Sequence, residues 1–321
     1  MSKPRILVVG SCCMDYTFGS TVIPREGETV LGNNFSFAPG GKGANQALQA
    51  ALLGAEVTFV GKFGRDMNGE VLVKNLRDAG IDVSHALYNE TVPTAVACIQ
   101  LQLQPNGEVN NRITVIPGSQ MTFTAADVAF LKDTIRDYDL VLLQLEINME
   151  INELVAAYAH AAGVPVMLNS APSAPLSEQF LSRLTYISPN EHEAKDLTGI
   201  EINCLDDARH AAETLRCRGV PNVLITLGAA GAVYSGGTTF LHKPCVKTKV
   251  VDPTAAGDSF IGAFSTAIAG GLPVADAMVF ANHVASITVS GRGAQSSLPS
   301  RKTVETAYGS AVAGFFSAMG L

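Results

Sequence analysis

The chain has 321 residues, 47% hydrophobic and 16% charged, with 30 Gly and no Trp. That length can bury a substantial core, and the composition is that of an ordered globular protein rather than a disordered chain. A formal net charge of −7 and a pI near 5.4 exclude the basic faces by which nucleic acid or an anionic membrane is usually bound.

The chain begins MSKPRILVVGS, a β-like run without the apolar core of a signal peptide, and no apolar stretch reaches spanning length. A cytoplasmic protein is therefore expected. Cys12, Cys13, Cys98, Cys204, Cys217 and Cys245 include no CxxC pair, which predicts reduced thiols.

Short charge-free apolar runs predict buried strands at Ile6–Val9, Val57–Val60, Leu140–Leu145, Val164–Leu168, Thr185–Ser188 and Val223–Leu227. Helical spacing appears between them at Ala44–Leu53, Glu70–Ala79, Ile151–Ala162 and Asp206–Arg218. Each is followed by a glycine (Gly54, Gly80, Gly163, Gly219), the usual residue just past a helix end. Such alternation predicts an α/β fold with a mostly parallel sheet flanked by helices.

Two stretches break the rhythm. Residues 16–38 and 93–118 are β-like but lack helical partners, and Gln102 to Glu108 reads as a hairpin turn. Together they predict a small β-sheet lid on a core made of residues 1–15, 39–92 and 119–321. Residues 232–250 add short strands at an antiparallel edge.

Residues Val251-Asp252-Pro253-Thr254-Ala255-Ala256-Gly257-Asp258 leave a β-prone segment, 245–251, and enter a helical run from Phe260 to Ala269. A small-residue turn opening a helix leaves backbone N–H groups free at the positive end of the helix dipole, which suits an anion. Asp258 there is either a helix cap or a base acting on a group that attacks a phosphate. Pro39-Gly40-Gly41-Lys42-Gly43-Ala44-Asn45-Gln46 lets backbone approach a ligand closely, or is merely a flexible turn. Its spacing fits neither a Walker A loop nor a GxGxxG fingerprint.

Asp15 is read just past the first strand and Glu146 at the end of another, where open α/β sheets bind ligands; turn and helix-start roles are the alternatives. Asn190 and Glu193 suit either hydrated Mg²⁺ or a capping box. His192 has no metal-ligand spacing to another His or Cys and reads as a surface residue. Thr226 to Gly231 is a Gly-rich strand exit, and Asn282 lies in a small-residue helical run. The loop Ser290 to Ser297 could offer carbonyls to a monovalent cation, or simply connect.

In this order, Gly10-Ser11 with Asp15, the GGKGANQ block, Leu143 to Glu146, Asn190 with Glu193, Thr226-Leu227-Gly228, Asp252 to Asp258 and Gly293 to Ser297 resemble the PfkB carbohydrate kinases. The resemblance covers nearly the whole chain. It implies a Rossmann-like core with a β lid that also forms a homodimer clasp. It also implies transfer of phosphate from ATP to the primary hydroxyl of a pentose, ribose first. By the same resemblance Asp258 is the base, and Ala255, Ala256 and Gly257 supply an anion hole. Cys13, Asp15, Gly41, Lys42, Gly43, Ala44, Asn45 and Glu146 surround the sugar.

Asn190 and Glu193 would serve the Mg²⁺ of ATP through water, while Thr226, Leu227, Gly228, Ala229, Ala230, Gly231 and Asn282 border the nucleotide. Asp252, Thr254, Thr288, Gly291, Gly293 and Ser297 would hold K⁺. Four residues depart from the family pattern, among them Ala255, which stands where many members have Gly but keeps its N–H for the anion hole. Cys13 stands where many members place an Asn, and a thiol is a weak hydrogen-bond former, which admits deoxyribose or another pentose as acceptor. Ser170 and Pro253 replace a common Pro and Thr. A related kinase acting on deoxyribose, a hexose or a nucleoside is the second reading. A silent sugar-binding regulator is the remaining alternative, opposed by intact Gly257 and Asp258.

Overall fold

The computed structural model describes residues 2–103 and 109–321. Fourteen strands are found among the described residues: β1 Arg5–Val9, β2 Cys13–Ser20, β3 Asn34–Gly40, β4 Glu56–Val60, β5 Lys62–Gly64, β6 Leu87–Asn89 and β7 Val96–Leu103. The rest are β8 Val109–Ile116, β9 Leu140–Gln144, β10 Val166–Asn169, β11 Tyr186–Ser188, β12 Asn222–Thr226, β13 Ala232–Gly236 and β14 Thr239–Lys243.

Eight of them form one sheet in the order β14-β13-β12-β11-β10-β9-β1-β4, parallel from β4 to β12 and antiparallel at the β13–β14 edge. The central strands are charge-free because both faces are covered. Ile6 and Val8 of β1 face helices Lys42–Leu53, Ala256–Ala269 and Val274–Thr288, whereas Leu7 and Val9 face helices Met149–Ala162 and Leu205–Cys217. From β1 the chain adds β4 on one side and then β9 on the other, all parallel, so the crevice beyond the carboxyl ends of β1 and β9 is the topological switch point. The expected helix stops hold: Gly54 and Gly163 cap their helices in the left-handed conformation.

A second sheet, β3-β2-β7-β8, combines the two β-like stretches, with β2 and β7 paired in parallel at its centre. β7 and β8 pair antiparallel, but the turn expected between Gln102 and Glu108 lies mostly outside the described residues. A pair, β5–β6, completes the strands. Among the described residues no helix is long and apolar enough to cross a membrane, and all six cysteines are free thiols.

Two expectations fail. Residues 245–251 form no strand. Pro244 follows β14, Lys247 and Lys249 lie exposed, and Val251 instead donates its N–H to Val289 O at 2.8 Å. Asp15 does not follow the first strand as a turn residue; it sits within β2 of the small sheet, opposite Ala38 and Ala97.

Candidate active site

A cavity of about 210 Å³ lies at the carboxyl ends of the central strands, lined in part by Lys42, Asn190, Glu193, Thr226, Ala256 and Asp258. Its floor is the first turn of helix Ala256–Ala269. Ala255 caps that helix at φ 60°, the only non-glycine residue with positive φ among the described residues. An alanine in this conformation is strained, which marks a backbone held for a purpose. Ala256 N–H turns back to Pro253 O at 3.2 Å. No protein acceptor meets the N–H groups of Ala255, Gly257 and Asp258 among the described residues, so they point their partial positive charge outward.

The Asp258 side chain is no helix cap. It is 8% exposed, and its two oxygens accept from Asn45 Nδ2 at 2.8 Å and Gln46 Nε2 at 2.9 Å. Of the two readings left open, the cap falls and a held carboxylate at the cavity floor remains. Asn45 and Gln46 reach it because the helix Lys42–Leu53 begins at Gly41, whose φ of 92° turns the chain sharply out of β3. That helix packs directly on Ala256–Ala269; a Cβ at Gly262 would meet Gln46 O at 2.7 Å.

Lys42 stands among Asp258, Glu146 and Glu193. Burial alone lowers its proton affinity, but the three carboxylates outweigh it and hold the ammonium above the ordinary lysine range. Asn190 and Glu193 form the full capping box: Asn190 Oδ1 accepts from Glu193 N at 2.9 Å and Glu193 Oε2 accepts from Asn190 N at 2.9 Å. The cap alternative is thus realised, yet Glu193 still lines the cavity, and burial raises its carboxyl above the usual range.

Next to this cavity lies a second polar cluster. Glu146 Oε2 accepts from Ser11 Oγ at 2.5 Å and from Lys42 N at 3.0 Å. Cys13 Sγ donates to Asp15 Oδ1 at 3.2 Å, and the other Asp15 oxygen lies against Gly40, where a Cβ would come within 2.3 Å. Burial pushes the Asp15 carboxyl and both the Cys12 and Cys13 thiols upward, so the thiols stay protonated. Gly43 and Ala44 are buried beneath, with Gly43 N donating to Ser11 Oγ and Ala44 N to Ser11 O.

Behind the helix start is a third cluster. Asp252 accepts from Thr254 N and Gly293 N, each at 2.9 Å; burial opposes its charge, but these bonds hold its carboxyl below the usual range. Thr288 O accepts from Gly291 N at 3.0 Å, and Gly291 lies against Ser297. On the far side, Gly228, Ala229 and Ala230 form an exposed turn closed by Leu227 N to Gly231 O, of which the neighbouring Thr226 reaches the cavity. Asn282 is not solvent-facing: buried, it donates to Lys243 O and Pro244 O at 3.2 and 3.1 Å. His192 is exposed, as expected.

Sequence reasoning passed over Gln46, Gln120, Asn169 and Ser188. Gln120 bridges Cys12 N and Glu146 O, while Asn169 and Ser188 line the cavity. Gln46 stood inside the GGKGANQ block; for the others, only the fold brings them in.

Comparison with known proteins agrees with this arrangement. The model of the pfkB family carbohydrate kinases matches residues 3–301. Ribokinase of Bacillus subtilis is 38% identical over 305 residues, covering 94% of this chain and 98% of its own. Deoxyribokinase of Salmonella typhi is 32% identical over 299 residues, covering 92% and 95%. The structure of Arabidopsis thaliana ribokinase complexed with ribose and ATP superposes with a TM-score of 0.88 at 32% identity, covering 95% of this chain and 98% of that one. With a strained anion-accepting helix start, a held carboxylate and a match along nearly its whole length, the chain belongs to the pfkB family of carbohydrate kinases and is an ATP-dependent sugar kinase.

Proposed function

We propose that this kinase phosphorylates the primary hydroxyl of a pentose, D-ribose first, with Asp258 as the base. The observation that carries the reading is Asp258 itself. It is a buried carboxylate gripped by two amides, two residues beyond the start of a helix at which the N–H groups of Ala255 and Gly257 have no protein acceptor among the described residues. Each oxygen accepts one amide N–H and keeps a lone pair to take the hydroxyl proton as that hydroxyl attacks the γ-phosphorus. The N–H groups of Ala255 and Gly257 then receive the charge that develops on the transferring group. Ala256 contributes less, its N–H being shared with Pro253 O.

Asp15, Gly41, Lys42, Asn45 and Glu146 enclose the sugar, and Thr226 to Gly231 with Asn282 shape the nucleotide side. Glu193 and Asn190 face the phosphates and would meet the Mg²⁺ of the substrate through water, as Mg²⁺ surrenders its water reluctantly. Glu193→Gln should therefore raise the KM for Mg·ATP by about five- to tenfold and leave the sugar KM alone, as read in a coupled assay at varied Mg²⁺.

The cluster of Asp252, Thr288, Gly291 and Ser297, with the carbonyls of Thr254 and Gly293, offers only oxygen donors, the set a hard monovalent cation prefers. These residues fit K⁺, which when bound supplies positive charge behind the anion hole. The small sheet, residues 16–38 and 93–118, acts as the lid that excludes water. Phe18, Phe35 and Phe37 lie 45–59% exposed on it as one ring cluster, which supports a homodimer through that sheet.

Cys13 supports a second reading of the acceptor. Its thiol is already given to Asp15 and provides no strong partner for a further sugar hydroxyl, so 2-deoxyribose loses less here than elsewhere. ADP release measured over ribose, 2-deoxyribose, fructose and adenosine, with and without K⁺, tests both. Ribose is expected to give the highest kcat/KM, with 2-deoxyribose second. Sugar binding without ADP release from any acceptor would leave only a silent binding protein.

A further inference from the structure

Asn45 is not the only residue holding Asp258. Gln46, wholly buried in the helix Lys42–Leu53, donates from Nε2 to Asp258 Oδ1 at 2.9 Å and to Asn169 Oδ1 at 3.0 Å. Its Oε1 accepts from Gln144 Nε2 at 2.8 Å, and Gln144 is itself wholly buried at the end of β9. Asn152 Nδ2 ties the main chain there by donating to Gln144 O at 2.8 Å. Asn169 Nδ2 donates on to Ser188 O at 2.9 Å, which anchors the other side to the ends of β10 and β11.

An amide has one donor end and one acceptor end. Two acceptors, Asp258 and Asn169, fix the NH₂ of Gln46 on their side, and the Gln144 donor fixes its oxygen on the other. Reversed, Gln46 would set a carbonyl oxygen against a carboxylate and its NH₂ against another NH₂. The bonds from Gln144 through Gln46 therefore run toward Asp258 while the branch through Asn169 to Ser188 anchors Gln46 from the side, and neither Gln46 nor Asn169 turns without losing partners in a buried setting, where each loss is expensive.

We propose that Gln46, oriented by Gln144, is the positioning residue for Asp258, fixing the rotation of its carboxylate and holding Oδ1 with a directed N–H. The proposal rests on Asp258 being the base. Other charges face the carboxylate as well: Lys42 from the same helix as Gln46, Glu193 from helix Glu191–Thr198 and Asp15 from β2. Lys42 attracts the charge on Asp258 and the two carboxylates repel it, and the amide N–H on Oδ1 adds to the attraction.

The test compares Gln46→Met, Gln144→Met and Asp258→Asn with the parent enzyme in kcat and sugar KM across about pH 5 to 9. Gln46→Met keeps length and burial but removes the donor. It should lower kcat about tenfold, leave the sugar KM within about twofold, and move the acid limb of the kcat profile up by about one pH unit. Gln144→Met should move the limb the same way by less, because Gln46 then loses only its orienting partner. An acid limb that stays in place while KM rises or Tm falls means a merely structural glutamine and overturns the proposal. If Gln46→Met does not fold, Gln144→Met decides by the same limb. Full turnover in Asp258→Asn removes the base and this inference with it. An inactive Asp258→Asn beside an unmoved limb in Gln46→Met removes the inference alone.

Discussion

Asp258→Asn should cut turnover by about 10²-fold or more while leaving sugar affinity within about tenfold of the parent. The replacement keeps size and burial but cannot take a proton at neutral pH. It also sets an NH₂ against one of the two amide donors, Asn45 Nδ2 or Gln46 Nε2, so that donor must turn. Asn45 can do so cheaply, since its own Oδ1 has no partner and would meet the new NH₂. Sugar binding measured by titration calorimetry, beside coupled turnover, separates the two effects. Near-normal turnover would remove Asp258 from the chemistry and return the helix start to a simple anion site.

Gly41→Ala should be the most damaging change of a single methyl group. At φ 92° an L-residue is strained wherever it stands, and here the new Cβ would lie 2.8 Å from Cys12 Cα and 2.9 Å from Cys13 N. Both are backbone atoms of the chain leaving β1 and cannot swing aside. The expected cost is about 3 kcal/mol, seen as a fall of roughly 5 °C or more in Tm. Relief by moving the turn would displace Lys42 from Glu146 and Cys13 from Asp15, so sugar KM should rise at least about tenfold. Unchanged Tm and KM together would mean that the turn carries neither strain nor sugar.

The parallel core was legible because burial on both faces leaves a pattern: charge-free runs such as Leu140–Gln144, and glycines such as Gly54 and Gly163 at helix ends. The anion-accepting helix start was legible because a small-residue turn into a helix is a local event, whereas the grip of Asn45 and Gln46 on Asp258 comes from another helix. Residues 245–251 misled because their β-branched residues fit a strand, whereas a strand also needs a neighbour, and β14 is already the sheet edge. Asp15 misled in the opposite sense. Nothing local says that β2 leaves the core and joins a second sheet three residues after Gly10. Gln144, Asn169 and Ser188 meet only through strand order, and spacing along the chain carries no trace of that. The burial of Asn282 could not be read from its small-residue helix because its partners, Lys243 O and Pro244 O, come from a distant edge.

The parallel pairing of β2 with β7 bears on the order in which the molecule assembles. Met14 pairs with Val96 and Ser20 with Gln102, across the whole unit that contains helix Lys42–Leu53, β4 and helix Met67–Asp78. No hairpin can nucleate that seam, and the entropy of closing so long a loop is met only once the intervening elements have docked. The small sheet is thus the last part to form and the first to open. Its amides should exchange with solvent well before those of β1 and β9. Opening of the small sheet would then leave in place the helix start on which Asp258 rests, which belongs to the larger sheet's packing.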